Sequence, residues 1–554
     1  MAQFLIQKSR YVFLSTHEKS LILILITCFK IFVDAADESK SITASQAKTL
    51  IRQLIAGFRD HGLKKGDCVC ICSFNSIYYP ILILSIIGFG GIYTGTNPSY
   101  TAYELKHHLK ASDAKLILTE PDILPIVQSA FQLLNRTQSS IFLLDSTSGI
   151  KPISPEPKIP SWRTLLAHGE QPWTTFSDLA TATSTTAMLL FSSGTTGLPK
   201  PAILSHHNLI AQHTLAYETK PLRPYSASRI ITLPLFHVGS ATTSPISALR
   251  ASNTNYIMRR FEVSAFLSHC EKYRPTDLLL VPPMVAAVLA HPMEKEAKMK
   301  ALSGTRFGIS GAAPLDKETQ GRFQGLLPTG AAFTQGYGMT ETTAWVAMFP
   351  YVGTDDTGSV GRMLPNIDFK IADEEGMEVK EVVDGGLLGE LCVRGPVVVK
   401  GYVGVPRERD FDSEGFLRTG DVVKLDVGTG KLYVSDRKKE MIKVRGFQVA
   451  PAELEGILLG HPGIADAAVV GVKLEGGRGE LPRAYVVKKE GKDGDALDED
   501  GVKNWVRERL AKYKALDGGV RFIEVIPKSA SGKILRRVIR EMADKEKVGE
   551  KAKL

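Results

Sequence analysis

Leu190 to Lys200 read LFSSGTTGLPK, and the chain enters this run from the apolar stretch Ala187-Met188-Leu189-Leu190-Phe191, as a strand would feed a loop. Gly194 and Gly197 let the backbone turn sharply and approach an anion closely. Ser192, Ser193, Thr195 and Thr196 add hydroxyl donors, and Lys200 adds a positive charge. The run therefore reads as a phosphate-gripping loop. The G-x-x-x-x-G-K-[ST] spacing of a Walker-type P-loop is absent, so kinase or GTPase phosphate chemistry is not supported. A flexible Ser/Gly linker is the alternative that composition alone allows.

The chain has 554 residues, too many for one core, and suggests a large domain plus at least one smaller one. Its apolar and aromatic content is that of a globular protein. The formal charge of +9 is modest for this size and comes without a long basic run. Nucleic acid is not indicated, and anionic phosphorylated substrates explain the surplus as well. Six cysteines do not make a disulfide scaffold. Cys68, Cys70 and Cys72 alternate, so on a strand their side chains share one face. No second cluster follows to complete a thiolate metal site, and buried structural thiols are expected.

Helical and strand-like segments alternate along most of the chain. Ser45 to His61 carries apolar residues near helical spacing, followed by the short apolar run from Cys68 to Ser73. The alternation recurs through Lys115–Leu118, Arg229–Leu233 and Asp277–Val281, which predicts parallel βαβ layers. Pro and Ser cluster from Lys151 to Ser161, as in a surface connection. After Gly386 the pattern turns to short strands with Gly punctuation, Leu387–Val393, Val397–Val399 and Lys431–Val434, predicting an antiparallel β subdomain.

The two ends carry different messages. Leu21 to Phe29 is apolar, but Lys30 interrupts it well short of the roughly 20 residues a spanning helix requires, so no transmembrane segment is expected. With Lys8 and Arg10 before it and Ala35-Ala36 after, it faintly resembles a signal peptide; an alternative start is a competing explanation. Residues 1–33 are accordingly set apart as an atypical segment. Ala552-Lys553-Leu554 is a conservative variant of the Ser-Lys-Leu address and follows the charged stretch Lys545 to Lys551. It predicts an import receptor as partner and the peroxisome as destination, with the cytoplasm as the alternative.

Four further segments accompany the loop in chain order: Thr334-Gln335-Gly336-Tyr337-Gly338-Met339-Thr340-Glu341, Thr419-Gly420-Asp421, Asp436-Arg437 through Gly446-Phe447-Gln448, and Pro527-Lys528 through Gly532-Lys533-Ile534-Leu535-Arg536-Arg537. Together the five resemble the adenylate-forming superfamily of acyl-CoA synthetases, luciferases and peptide-synthetase adenylation domains, most closely its 4-coumarate-CoA ligase-like branch. The match runs from about residue 35 to the C-terminus. It implies an α/β fold: a large N-terminal AMP-binding domain of layered βαβ subdomains with a small β-barrel-like subdomain, residues 34–438, and a small mobile α+β lid, residues 439–551. Lys439 matches the position about which the lid swings.

The same resemblance assigns roles. A carboxylate is a poor electrophile, and making a thioester from it requires activation on the α-phosphorus of ATP, so two anions must be brought together. Lys533 resembles the mobile lysine that bridges carboxylate and α-phosphate. Glu341, with Thr340 beside it, resembles the Mg²⁺ ligand. Asp421 suits the ribose hydroxyls, with Arg437 adding donors. Adenine is expected against Gly311-Ala312-Ala313 and Tyr337; Gln335, Gly336 and Ala313 match positions around the adenylate. His237 matches the mouth of the acyl site. For the thioester step, rotation of the lid would withdraw Lys533 and present Lys443, Arg445, Gly446 and Gln448. Arg445, Gly446 and Arg260 match CoA contacts, while Lys443 and Gln448 match positions near the adenylate.

The acyl pocket departs from plant hydroxycinnamate ligases. Gly239 stands where they place a tyrosine, and Ile309 where they have a lysine, so both phenol-facing polar groups are lost. Gly338 and the residues after Glu341, including Ala344, Trp345 and Val346, are expected to wall an apolar pocket. The expected substrate is an apolar carboxylic acid: aromatic, arylacetic or medium-chain fatty. Pro201 departs from the usual Gly after Lys200 and removes an N–H there. Delivery to a carrier protein, luciferase-like oxygen chemistry and a catalytically silent scaffold are the rival functions.

Overall fold

The computed structural model describes residues 29–144, 159–192, 199–218, 223–373, 375–437, 440–444, 447–473, 480–510, 512–529 and 532–551. Two large, mostly parallel sheets form its centre. The first has six strands in the order Ile141–Leu143, Ala114–Thr119, Cys68–Cys72, Ile92–Thr96, Thr186–Ser192, Lys200–Ser205. All neighbours in it are parallel except the last pair, an antiparallel hairpin.

The strand Cys68–Cys72 is buried on both faces, as a central parallel strand must be. Cys68, Cys70 and Cys72 enter one core, with Leu105, Ile117 and Phe131, while Val69 and Ile71 enter another. The thiols are free and structural: burial pushes Cys68 and Cys72 up to about 12, far from the thiolate that metal binding needs. Helix Tyr79–Phe89, YPILILSIIGF, has no polar face, and each of its residues is buried. Helix Ala44–Asp60 is amphipathic instead. It starts at a capping box in which Thr43 and Gln46 satisfy each other's backbone N–H, and it buries Ile51, Leu54, Ile55 and Phe58 against the fully buried helix's core.

The second sheet has nine strands, with parallel Thr254–Ile257, Ser228–Ile231, Asp277–Leu280, Phe307–Ser310 and Ala332–Met339 at its heart. Lys30–Asp34 extends it, parallel to Thr254–Ile257. Ile31, Phe32 and Val33 are all buried there. The N-terminal domain therefore starts before residue 34, and residues 30–33 belong to the fold rather than to the atypical segment. Three successive apolar residues form a two-sided parallel strand, which the sequence pattern alone merged with the apolar run before it. Residues 21–28 of that run lie outside the described residues. No helix among the described residues is long and apolar enough to cross a membrane.

A four-stranded antiparallel sheet follows: Asp368–Ala372, Gly386–Arg394, Leu417–Asp426 and Leu432–Arg437. The expected strand at Val397–Val399 is instead a buried turn. Its carbonyls have another use, since Asn208 Nδ2 donates to Pro396 O and Val398 O. Beyond residue 440 the chain forms the hairpin Ile442–Val444/Phe447–Val449 and a separate three-stranded sheet, Ile464–Lys473, Glu480–Lys488 and Val520–Phe522. Helices Pro451–Leu459 and Glu499–Arg507 pack on it around a core of their own.

The buried thiols make a direct check. Cys68, Cys70, Cys72, Cys270 and Cys392 are all buried and should resist a disulfide-exchange reagent at pH 8 in the native protein, then react together in guanidinium. Rapid native labelling of any of these five, located by mass spectrometry, would contradict the packing.

Candidate active site

Parallel strands present their following loops at one edge, and ligands of α/β sheets bind there, outside the carboxyl ends. Both sheets converge on such an edge. Thr186–Ser192 ends at Ser192, Phe307–Ser310 leads into Gly311-Ala312-Ala313, and Ala332–Met339 leads into Thr340-Glu341. The C-terminal domain covers this edge, enclosing a cleft of about 2590 Å³ lined by residues of both domains.

Ser192 and Lys200 face each other in register across the hairpin and both line the cleft; Ser193, Gly194, Thr195, Thr196 and Gly197 between them lie outside the described residues. The Lys200 ammonium sits 5.8 Å from the centre of the Tyr402 ring. Tyr402 donates its hydroxyl to Glu341 Oε1 at 2.5 Å. Burial, reinforced by that carboxylate, raises the Tyr402 phenol and keeps it a donor. Glu341 is itself buried, anchored through its carbonyl to Val399 N–H, and with Thr340 it borders the cleft. One acid, one cation and three hydroxyls are thus gathered at the end of the cleft beside the hairpin.

The neighbouring wall carries Gly311, Ala312, Ala313, Gly336, Tyr337 and Asp421. Tyr337 donates to Asp421 Oδ2 at 2.7 Å. Ala312 is held at φ 72°, a left-handed conformation that costs a non-glycine residue about 1 kcal/mol or more. Gln335 takes a different place from the cleft wall: it is buried and braces the loop from behind, bonding Leu315 N–H and carbonyl and Gln320 Oε1. Arg437 stands opposite Asp421 in the ladder.

Lys533 enters the cleft from the C-terminal domain. Gly532 before it has φ +79° and lies so close to Pro283 of the N-terminal domain that a Cβ would come within 2.7 Å of its ring. A glycine is required there on both counts. Ser529 pins the Lys533 backbone, its hydroxyl and N–H bonding Lys533 N–H and carbonyl. Behind it, Arg536 is buried between Glu455 and Glu440, at 2.9 and 2.8 Å, so its charge is compensated. Lys443 and Gln448 pair across the hairpin Ile442–Val444/Phe447–Val449. Lys439, Arg445 and Gly446 lie outside the described residues. Arg260 is exposed, 3.6 Å over the Phe74 ring, and does not border the cleft.

At the acyl end, His237, Gly239, Gly338, Ala344 and Trp345 border the cleft. The Trp345 ring lies against both Gly311 and Gly336, where added Cβ atoms would meet it at 2.7 and 2.9 Å. Gly239 has open space in front of it. Ile309 sits under this floor, its Cδ1 close to Gly336, and Val346 points into the core instead, as strand alternation from Trp345 dictates. His237 has its Nε2 buried without a partner among the described residues, and burial pushes it down to about 4; the imidazole is neutral at pH 7.

Fold and cleft together define a two-domain nucleotide-handling enzyme whose lid domain supplies a lysine. Residues 27–403 match the family "AMP-binding enzyme", and residues 453–533 match "AMP-binding enzyme C-terminal domain". The chain is 46% identical over 518 residues to the phenylacetyl-CoA ligase epaB of Aspergillus niger, covering 93% of this chain and 94% of that protein. It is 47% identical over 511 residues to the acyl-CoA ligase azaF of Aspergillus niger, covering 92% and 94%. Among solved structures, ATP-bound MatB from Rhodopseudomonas palustris superposes with a TM-score of 0.78 at 27% identity, over 93% of this chain and 95% of that one. The chain belongs to the AMP-binding enzyme family.

Tyr402, Pro283 and Glu455 enter the site without any sequence motif to announce them, and Glu440 lies inside the Asp436–Gln448 segment without a role read from it; each works through a contact made far along the chain. The buried imidazoles give a pH signature. Burial depresses His237 to about 4 and His108 to about 3, so between these values and the unfolded value near 6.5 the unfolded chain binds more protons. Stability is full above pH 6.5 and falls on acidification, by up to about 1.4 kcal/mol per pH unit for each group. Urea unfolding at pH 7, 6 and 5 should show this decline, and a flat profile would contradict it.

Proposed function

We propose that the acid activated by this AMP-forming acid–CoA ligase is a small arylacetic acid. The observation that carries this reading is the acyl end of the cleft, where the Trp345 ring packs closely against two glycines and Gly239 leaves space open. An apolar aromatic floor with room above it favours a compact ring over a long polar acid. The relative named for phenylacetyl-CoA supports the same choice.

In the first half-reaction a carboxylate oxygen attacks the α-phosphorus of ATP, forming acyl-AMP as the bond to pyrophosphate breaks. Two anions meet there, and Lys533 is the cation placed to hold both. Lys200 and Ser192 take the phosphate end, Asp421, held by the Tyr337 hydroxyl, takes the ribose, and the Tyr337 ring faces the adenine. In the second half-reaction the CoA thiol attacks the acyl carbon and AMP leaves. Lys443 and Gln448, together with Arg445 and Gly446, serve that step after the lid rotates, and Arg260 is exposed where it can meet a CoA phosphate from outside.

Mg²⁺ fits the charge at this site. Among the described residues no cluster of three or more metal-ligating side chains exists. A hard cation that draws most of its oxygens from phosphates and water, with one carboxylate from the protein, matches Glu341. Its contribution would be charge neutralisation on the phosphates.

The peroxisome is the proposed destination, through Ala552-Lys553-Leu554. A fluorescent protein fused ahead of this chain, leaving Ala552-Lys553-Leu554 as the last residues, should give peroxisomal puncta that become diffuse when the three residues are deleted; unchanged localisation would refute the address.

The activity is tested with pyrophosphate release and acyl-CoA formation on arylacetic, cinnamic and medium-chain fatty acids. Phenylacetic-type acids should give the highest kcat/KM, and Lys533→Ala should lower pyrophosphate release about a hundredfold or more. Preference for a fatty acid would overturn the arylacetic assignment. Pyrophosphate without acyl-CoA would point to a carrier protein or oxygen chemistry, and no turnover to a silent scaffold.

A further inference from the structure

One helix, Ala102–Ser112, reaches both sides of the loop end of the hairpin that borders the phosphate end of the cleft. His107 Nε2 lies 2.8 Å from Pro199 O. A carbonyl can only accept, so the imidazole donates. His108 stacks on Phe191, with ring centres 3.8 Å apart and planes at 21°, and His107 meets the same ring edge-on at 6.4 Å and 82°. Phe191 immediately precedes Ser192, and Pro199 immediately precedes Lys200.

The arrangement behind His108 fixes its tautomer. Thr94 Oγ1 lies 2.7 Å from Leu189 O and must donate to it. It therefore accepts from His108 Nε2 at 2.9 Å, and the buried Nδ1, with no partner among the described residues, carries the lone pair. The ring is neutral and locked.

Pro201 faces Phe191 at a non-hydrogen-bonded position of the ladder, its carbonyl accepting from Val403 N–H on the other side, so the contacts of His107 and His108 add side-chain support to the backbone where Ser192 and Lys200 must be aimed. Helix Ala102–Ser112 is itself fixed at its start by a capping box between Thr101 and Glu104, which makes it a rigid mount.

We propose that His107, backed by His108, is a positioning residue for nucleotide binding: by holding Pro199 and Phe191 it aims Lys200 and Ser192 into the cleft. It touches the hairpin and takes no part in the bond-making steps. The inference rests on ATP occupying that end of the cleft, as in the function proposed above, but not on the identity of the acid.

The test is isothermal titration of the full chain with a non-hydrolysable ATP analogue, which requires no acid substrate and so stays informative if the arylacetic assignment fails. His107→Ala should weaken the dissociation constant about five- to tenfold, the worth of one hydrogen bond, with Tm in the absence of ligand unchanged. His107→Gln, whose amide can still donate to Pro199 O, should restore binding to within about twofold of wild type. The proposal is overturned if the Ala variant binds like wild type, if Gln is as weak as Ala, or if weaker binding tracks a fall in Tm.

Discussion

The constraint from which the rest follows is that parallel strands buried on both faces all end at the same edge. Cys68–Cys72 and its neighbours cannot expose either face, because Val69 and Ile71 serve one core while Cys68, Cys70 and Cys72 serve another. Polar chemistry is therefore excluded from the body of each sheet and collected in the loops beyond the strand ends. Ser192, Gly311-Ala312-Ala313 and Thr340-Glu341 meet for that reason, although more than a hundred positions separate the first from the rest.

Close approach is the second theme. Gly311 and Gly336 exist to admit the Trp345 ring, and Gly532 to admit Pro283. The first contact shapes the acyl floor, while the second sets how the C-terminal domain meets the N-terminal one and so brings Lys533 to the cleft. In both cases a missing Cβ does the work, and a single methyl would displace an aromatic ring or a whole domain.

Charge is managed by neutral braces. Glu341 is buried and receives Tyr402, Asp421 receives Tyr337, and Lys200 rests over the Tyr402 ring. None of these contacts consumes a full opposite charge at the phosphate end. Lys200 is thus left with capacity for an anion, as a site for phosphates requires. Gln335 shows the same economy from behind the wall, using both ends of its amide to shape the loop Gly311 to Leu315.

Much of this was legible in the sequence, for identifiable reasons. Alternation in DCVCIC fixed the strand and its two faces, helical spacing and Thr43 fixed the first helix, and the run from Leu190 to Lys200 together with four ordered motifs fixed the family. Local rules reached less far where tertiary packing overrode them. Ile31 to Val33 joined the sheet, Val397 to Val399 became a turn because Asn208 takes its neighbours' carbonyls, and Gln335 turned away from the cleft. The sequence by itself determined the strand and helix periods, the buried cysteines and the residue types available for phosphate chemistry, because these depend on neighbours within a few positions. Only the tertiary structure decided that Tyr402 backs Glu341, that Pro283 receives Gly532 and that His107 holds Pro199, because each is a contact between distant segments whose partner no local pattern encodes.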